Sequence, residues 1–339
     1  MATTIAPMEA LLAAELPDGD GWQFEPKWDG FRCLAARQRG GEVTLTSKSG
    51  KPLGRYFPDV VAMLGALQAK DFLLDGELII PVGNALSFDA LQLRLHPAES
   101  RVRKLAAEHP AELMLFDLLE LDGVDLTSKP LAARREALED FFSANQIPGL
   151  HLSPATLDRS TAVGWLERSG GALDGVIAKR TDLEYRSGER AMIKVKQQRT
   201  ADCVVGGFRY GAKQRQVASL MLGLYNDAGQ LDHVGFTSAI PTADRPALTD
   251  KLEKLVGGSG FTGNAPGGPS RWNRGKEVPW QPLEPKLVVE VRYDQISSRR
   301  FRHGTGFVRW RPEKDPKQCT FDQLAPELKP SELKELFAQ

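Results

Sequence analysis

The stretch Lys27-Trp28-Asp29-Gly30-Phe31-Arg32 decides the reading of this chain. It sets a lysine, an acid two residues on, a glycine and an arginine within one short loop. A lysine amine can attack phosphorus once it has lost its proton, and with an ordinary pKa of about 10.4 it needs help to do so near neutrality. Nearby cations or a bound metal provide that help by disfavouring the charged form. Gly30 lets the backbone approach a ligand closely. Arg32 carries a planar fork matched to phosphate or ribose oxygens. Taken alone, the string also suits a tight turn with a surface Lys–Asp pair, so its meaning depends on the rest of the chain.

With 339 residues, two domains are expected rather than one. A hydrophobic share of 41% and a charged share of 26% are those of an ordinary globular protein. Lys+Arg and Asp+Glu balance at 44 each, so a nucleic-acid partner would have to be met by locally arranged charge. Cys33, Cys203 and Cys319 are odd in number and form no C-x-x-C, which argues against a disulfide framework or a zinc ribbon. A reducing, intracellular compartment is expected. The first residues lack a basic region followed by a long apolar core, so no secretion signal is expected. No apolar run approaches the ~20 residues of a membrane-spanning helix.

The first 198 or so residues mix strand and helix signals. Residues 42–47 alternate, with Val43 and Leu45 on one face. Residues 72–74 and 77–80 are short apolar runs around Asp75-Gly76, and residues 113–119 form another. Residues 130–142 read as a helix with an apolar stripe. Residues 160–168 read as a second helix, with Ser160 capping its start and Gly170 its end. Residues 191–196 alternate again and project Lys194 and Lys196 to the same face. Two lysines side by side repel unless an anion lies between them.

Beyond about Thr200 the pattern changes. Residues 203–208, 217–225 and 233–238 read as strands, 246–256 as an amphipathic helix, and 287–293 and 307–310 as two more strands. Three strands, a helix and two strands is the order of an OB-fold barrel, a common nucleic-acid platform. Residues 257–275 are rich in Gly and Pro and read as a long, mobile loop or linker. The expected fold is an α/β (α+β) domain over residues 1–199 followed by a small β-barrel over residues 200–339.

Further pieces recur at useful intervals. They are Asp75-Gly76-Glu77, with a carboxylate at a strand start, Phe116-Asp117 at a strand end, and Asp174-Gly175-Val176-Ile177-Ala178-Lys179. Lys194 and Lys196 follow, and then Arg309-Trp310-Arg311-Pro312-Glu313-Lys314. Each alone suits a strand-end turn or core packing. Together and in this order they resemble the nucleotidyltransferase motifs of the ATP-dependent DNA ligases. The resemblance is to the compact bacterial ligases of the mycobacterial C type, built from a nucleotidyltransferase (adenylation) domain and an OB domain, and it covers nearly the whole chain.

What the resemblance implies is specific. Lys27 would become adenylated, and Glu25 would help to seat the adenine, partly through its backbone. Arg32 would contact the AMP ribose or the nick, and Lys48 would read the 5′-phosphate of the nick. Glu77 would hold the ribose or assist with metal, Phe116 would stack on adenine, and Asp174 would occupy the acidic metal position. Lys194 and Lys196 would grip the α-phosphate and discourage protonation of Lys27. With Asp29 they complete the candidate catalytic set. Arg309, Arg311 and Lys314 would orient the leaving pyrophosphate. Two positions depart from the family pattern: Asp174 stands where glutamate is usual, and Lys48 where arginine is common. A lysine cannot form the bidentate fork, and nearby Arg55 is a candidate to share its work.

The implied cosubstrate is ATP, leaving AMP on Lys27, with Mg²⁺ or Mn²⁺ held mainly by phosphates and one or two carboxylates. The implied partner is nicked duplex DNA, with DNA-repair proteins as possible further partners. A monomer in the bacterial cytoplasm, at the nucleoid when acting on DNA and with no membrane contact, is expected. Between Arg292 and Lys317, eight cations face three carboxylates, a local excess suited to salt-sensitive, sequence-blind phosphate contacts. Competing readings are an RNA ligase or capping-type guanylyltransferase sharing the lysine nucleophile, or a non-catalytic OB-fold DNA-binding protein.

Overall fold

The computed structural model describes residues 5–38, 41–82, 85–169, 173–197, 199–211, 215–266, 279–294, 296–297, 299–302 and 304–324. They fall into two compact units, divided between Gln197 and Gln198.

The first unit runs β1 Glu9–Ala13, β2 Trp22–Trp28, β3 Phe31–Arg37, β4 Thr44–Ser47, α1 Pro58–Gly65, β5 Phe72–Ile79, β6 Pro81–Val82 and β7 Ala85–Leu86. It continues with α2 Phe88–Arg94, α3 Glu99–Glu108, β8 Glu112–Leu121, β9 Val124–Asp125, α4 Leu131–Ala144, β10 Leu150–Leu152, α5 Arg159–Glu167, β11 Leu173–Arg180 and β12 Arg190–Val195. One sheet has the order β1-β12-β11-β2, and the other β10-β8-β5-β3-β4 with β9 beside β8.

Strand alternation assigns the faces. In β2, Phe24 and Trp28 pack with Ala162 and Trp165 of α5 and with Val176 and Val195. Glu25 and Lys27 therefore point the other way. The second sheet buries Leu74, Leu78, Leu113 and Leu115 against Val60 and Leu64 of α1 and Leu138 and Phe141 of α4. Its opposite face brings Leu34 and Leu119 to Met8, Tyr185 and Met192 of the first sheet's surroundings. The chain passes from one sheet to the other between Trp28 and Phe31, so the opening string is the link between them.

Several expectations are revised. The runs at 72–74 and 77–80 are a single strand, β5, whose register against β8 slips between Asp75 and Gly76. Asp75, Glu77, Phe116 and Asp117 therefore lie within long strands rather than at strand ends. The helix expected from Ser160 starts at Arg159, capped by Asp158. Its carboxylate accepts from the backbone N–H of Ser160 at 3.1 Å and of Thr161 at 3.0 Å. Gly170 lies outside the described residues.

The second unit contains β13 Arg199–Tyr210, β14 Val217–Tyr225, β15 Leu231–Thr237, α6 Arg245–Glu253, β16 Gln281–Pro282, β17 Val288–Tyr293, β18 Ile296–Ser297, β19 Arg300–Phe301 and β20 Gly306–Trp310. The strand order is β15-β14-β13-β17-β20, and a parallel bridge from Thr237 to Thr305 returns β15 to the start of β20. Five strands thus run in a closed circuit around Val204, Phe208, Leu222, Val234 and Val289, with Leu248 and Leu252 of α6 packed in. This is the OB arrangement that the order of segments implied. The stretch expected as a free loop is partly pinned. Phe261 enters the core, and the N–H groups of Gly257, Gly260 and Gly263 donate to Pro282, Leu283 and Leu231. Residues 267–275 of that stretch lie outside the described residues.

Candidate active site

The two sheets of the first unit enclose a cavity of about 610 Å³. Its walls include Glu25, Lys27, Arg32, Lys48, Glu77, Phe116 and Lys194, all singled out by sequence, with Met8, Glu9, Lys179 and Met192 added by the structure. The volume is that of an ordinary small-molecule pocket, and the lining combines the aromatic residues Trp28, Phe31 and Phe116 with converging cations.

Lys27 Nζ lies 2.5 Å from Asp174 Oδ2, and Lys196 Nζ lies 2.9 Å from the same oxygen. A bulge in β11 creates this contact. Leu173 pairs with Trp28 and Val176 with Pro26, so Asp174 and Gly175 both stand opposite Lys27. Gly175 has φ +131°, and a Cβ there would lie 2.1 Å from the Val195 carbonyl oxygen. Gly30 is equally constrained: a Cβ would lie 2.1 Å from the Leu78 carbonyl oxygen and 2.8 Å from Glu77 Cγ. Only glycine allows β3 to start this close to β5.

Electrostatics revise one expectation. Burial alone would lower the pKa of Lys27, but Asp174, then Glu77 and Asp29, outweigh it and raise it. Without ligands the amine is therefore held as an ammonium, and the neighbouring lysines do not suffice to release it. Lys194 instead takes the depressed value, through burial first and then the charges of Lys27, Lys196 and Lys48. Burial lifts Glu77 to about 7 against the pull of Lys27 and Arg32.

Other candidates are engaged in ways the sequence did not reveal. Arg32 makes a bidentate pair with the buried Asp75, both bonds 2.6 Å, and the Tyr185 hydroxyl donates to Asp75 at 2.6 Å. Its guanidinium lies 4.4 Å from the Phe116 ring centroid. Lys179 Nζ lies 4.8 Å from that centroid, donates to the Phe116 carbonyl at 3.3 Å and pairs with Glu25 at 2.8 Å. Glu25 also accepts from Gln23 at 2.7 Å, so each of its two oxygens has a partner. Asp117 is turned away from the cavity, into a buried bidentate pair with Arg134 at 2.8 and 3.0 Å. Lys48, 58% exposed, reaches Glu9 at 3.1 Å and marks the mouth.

Arg55 does not join this group. Its guanidinium donates to the Pro97 carbonyl at 2.9 Å and lies over Tyr56. Arg309, Arg311 and Lys314 belong to the second unit. There Arg309 pairs with Glu290 at 2.7 Å, Arg311 with Glu313 at 2.5 Å and with Asp202 at 2.8 Å, and Lys314 approaches Asp202 at 3.9 Å.

The missed residues left faint traces in the sequence. Lys179 follows Ile177 at the two-residue spacing of one strand face, and both line the cavity. Glu9 left no such signal, because β1 pairs in parallel with β12, which lies far away in the chain.

A family model described as the ATP dependent DNA ligase domain matches residues 4–196, and one described as the ATP dependent DNA ligase C terminal region matches residues 213–314. The chain belongs to the ATP-dependent DNA ligases. Among its relatives in this family, DNA ligase C2 of Mycolicibacterium smegmatis is 46% identical over 336 residues, covering 94% of each chain. DNA ligase C of Mycobacterium tuberculosis is 42% identical over 337 residues, covering 94% of this chain and 93% of the relative. A solved structure from work on DNA binding with a minimal scaffold in Lig E DNA ligases shares the fold, with a TM-score of 0.55 at 16% identity over 91% of this ligase and all of that chain. The family resemblance carried by the motifs is thereby borne out. Among the described residues, no helix of this ligase is long and apolar enough to cross a membrane.

Proposed function

We propose that this chain seals nicks bearing a 5′-phosphate and a 3′-hydroxyl in duplex DNA, through a covalent Lys27–AMP and then a DNA-adenylate, in DNA repair. Residues 1–199 would carry adenylation and residues 200–339 the OB barrel. The observation that carries this reading is the position of Lys27 Nζ. It lines a cavity whose other cations are Lys194, Arg32, Lys179 and Lys48, 2.5 Å from a carboxylate that must let it go.

In the first step the Lys27 amine attacks the α-phosphorus of ATP. A nitrogen–phosphorus bond forms and the bond to pyrophosphate breaks. Phosphoryl transfer depends on positioning and charge neutralisation, which Lys194 and Lys196 supply at the phosphate. Phe116 offers its remaining ring surface to the base, and Arg32 is fixed by Asp75 beside it. AMP then passes to the 5′-phosphate, the 3′-hydroxyl displaces it, and AMP leaves. Lys48, exposed and paired with Glu9, would meet the nick phosphate.

Asp174 and Glu77 are the carboxylates whose charges act most strongly on Lys27, and their oxygens suit Mg²⁺ or Mn²⁺. No group of three His, Cys, Asp or Glu side chains able to hold a metal occurs among the described residues, so nucleotide phosphates would complete the coordination. Such a cation supplies neutralisation of phosphate charge. Asp174 would offer it the oxygen that neither lysine engages, and sharing the carboxylate with a cation would weaken its hold on Lys27 and so favour the neutral amine.

The test is the adduct itself. Protein mixed with labelled ATP should carry AMP on Lys27, and Lys27→Ala should carry none. An adduct of undiminished yield in Lys27→Ala would remove this residue from the role. Nicked duplexes with all-DNA or RNA-containing strands, supplied with ATP or GTP, then separate DNA sealing from an RNA-directed reaction.

A further inference from the structure

On the second unit, Arg300 of β19 meets His233 of β15, and the charge of Arg209 of β13 reaches the same imidazole. Arg300 Nη2 lies 2.6 Å from His233 Nδ1. An arginine can only donate, so Nδ1 is the acceptor and the ring proton sits on Nε2. That Nε2 is buried and has no hydrogen-bond partner. Nε of Arg209 is likewise buried and unpartnered. His233 is only 6% exposed and its ring is braced edge-on against Phe261, centroids 5.1 Å apart. The charges of both arginines bear on the imidazole, and burial together with them holds it neutral at a pKa of about 3. The Gly235 carbonyl acts on the ring without completing a hydrogen bond.

Among the described residues, no carboxylate pairs with Arg209 or Arg300. Arg209 and Arg300 are each shifted away from charge by burial alone. The contrast within the same barrel is direct, since Arg309, Arg311 and Lys314 each have an acid within 4 Å. Buried N–H donors are nearly always satisfied, and like charges gathered without an acid call for an anion. The donor set is all N–H and fork-shaped, which matches phosphate oxygens.

We propose that Arg209 and Arg300, with His233 orienting Arg300, form a phosphate-binding site on the barrel that takes a backbone phosphate of the duplex. The two arginines contact the phosphate, and His233 is a positioning residue. The site rests on the DNA-ligase reading for the source of its phosphate, but it lies apart from the Lys27 chemistry and can fail independently.

The experiment uses the full chain and nicked duplex DNA, measuring binding as a function of salt. Arg209→Gln and Arg300→Gln keep polar side chains and remove one charge each. Each should reduce the slope of log K against log salt by about 0.9, the loss of one phosphate contact. Arg209→Lys should restore the slope, and His233→Gln should weaken binding through Arg300 with no further loss in the Arg300→Gln background. Lys27–AMP yield with labelled ATP should be unchanged in all of them, which separates this site from adenylation. Unchanged salt slopes in both arginine variants would overturn the proposal. A loss of pyrophosphate affinity in place of the slope change would also overturn it, assigning the site to the free anion.

Discussion

Lys27 Nζ and Lys196 Nζ share one oxygen of Asp174, at 2.5 and 2.9 Å. A single carboxylate thus holds the proposed nucleophile charged while also fixing the second lysine proposed to grip the α-phosphate. Asp174→Asn should move the alkaline rise of Lys27–AMP formation to lower pH, because the largest influence raising the lysine's pKa is gone. The plateau should fall where the reaction depends on divalent cation. Rates of adduct formation measured across pH check both, and an unmoved midpoint would show that Asp174 does not control the amine.

Glu77 sets a second pH dependence. Its folded pKa of about 7 lies above the ordinary value of 4.5, so between those values the folded protein binds more protons than the unfolded chain. Stability should therefore fall as pH rises from about 4.5 to 7, by roughly 2 kcal/mol once water in the cavity is allowed for. Glu77→Gln should flatten that part of the melting profile. Thermal denaturation at closely spaced pH values is the measurement.

The Asp117–Arg134 pair is nearly sealed from solvent, at 2% and 0% side-chain exposure. Arg134→Leu leaves a bare carboxylate in the core and should cost about 3–5 kcal/mol. Asp117→Leu combined with Arg134→Leu should recover much of that loss. Denaturant unfolding of the single and double variants decides, and equal destabilisation in both would mean that lost packing, not the stranded charge, dominates.

Gly30→Ala drives a methyl group into the Leu78 carbonyl. The strand start must move, carrying Glu77 and Lys27 apart. Adduct formation should drop at least tenfold, while melting falls by only a few degrees. A variant that melts lower but adenylates normally would separate the turn from the chemistry.

Much of the fold and part of the site are legible in the sequence. Lys194 follows from a short-range pattern, because a strand's period of two fixes which side chains travel together, and the barrel follows from the order of its segments, while Lys27 and Arg32 stand out through the motif string that resembles the family's. Met192 and Lys194 share the cavity face as that period requires. The sequence does not show which charge meets which. Phe116-Asp117 are adjacent residues, yet one faces the cavity and the other a buried arginine 17 positions on. Lys179 and Glu9 depend on strand pairings between distant segments. The bulge at Gly175, which turns Asp174 onto Lys27, is invisible without the partner strand. The Asp158 cap was missed because a serine two residues later offered a rival oxygen.

The two-residue passage from β2 to β3 has a mechanical meaning. At Lys27 the two walls of the cavity are tied by continuous polypeptide, so they cannot part there. At the rim, by contrast, Lys48 is linked to Glu9 by an ion pair that solvent reaches. On the proposed chemistry, nucleotide would enter and pyrophosphate leave at the rim, and the Lys27 amine would stay at a fixed depth whatever the width of the doorway.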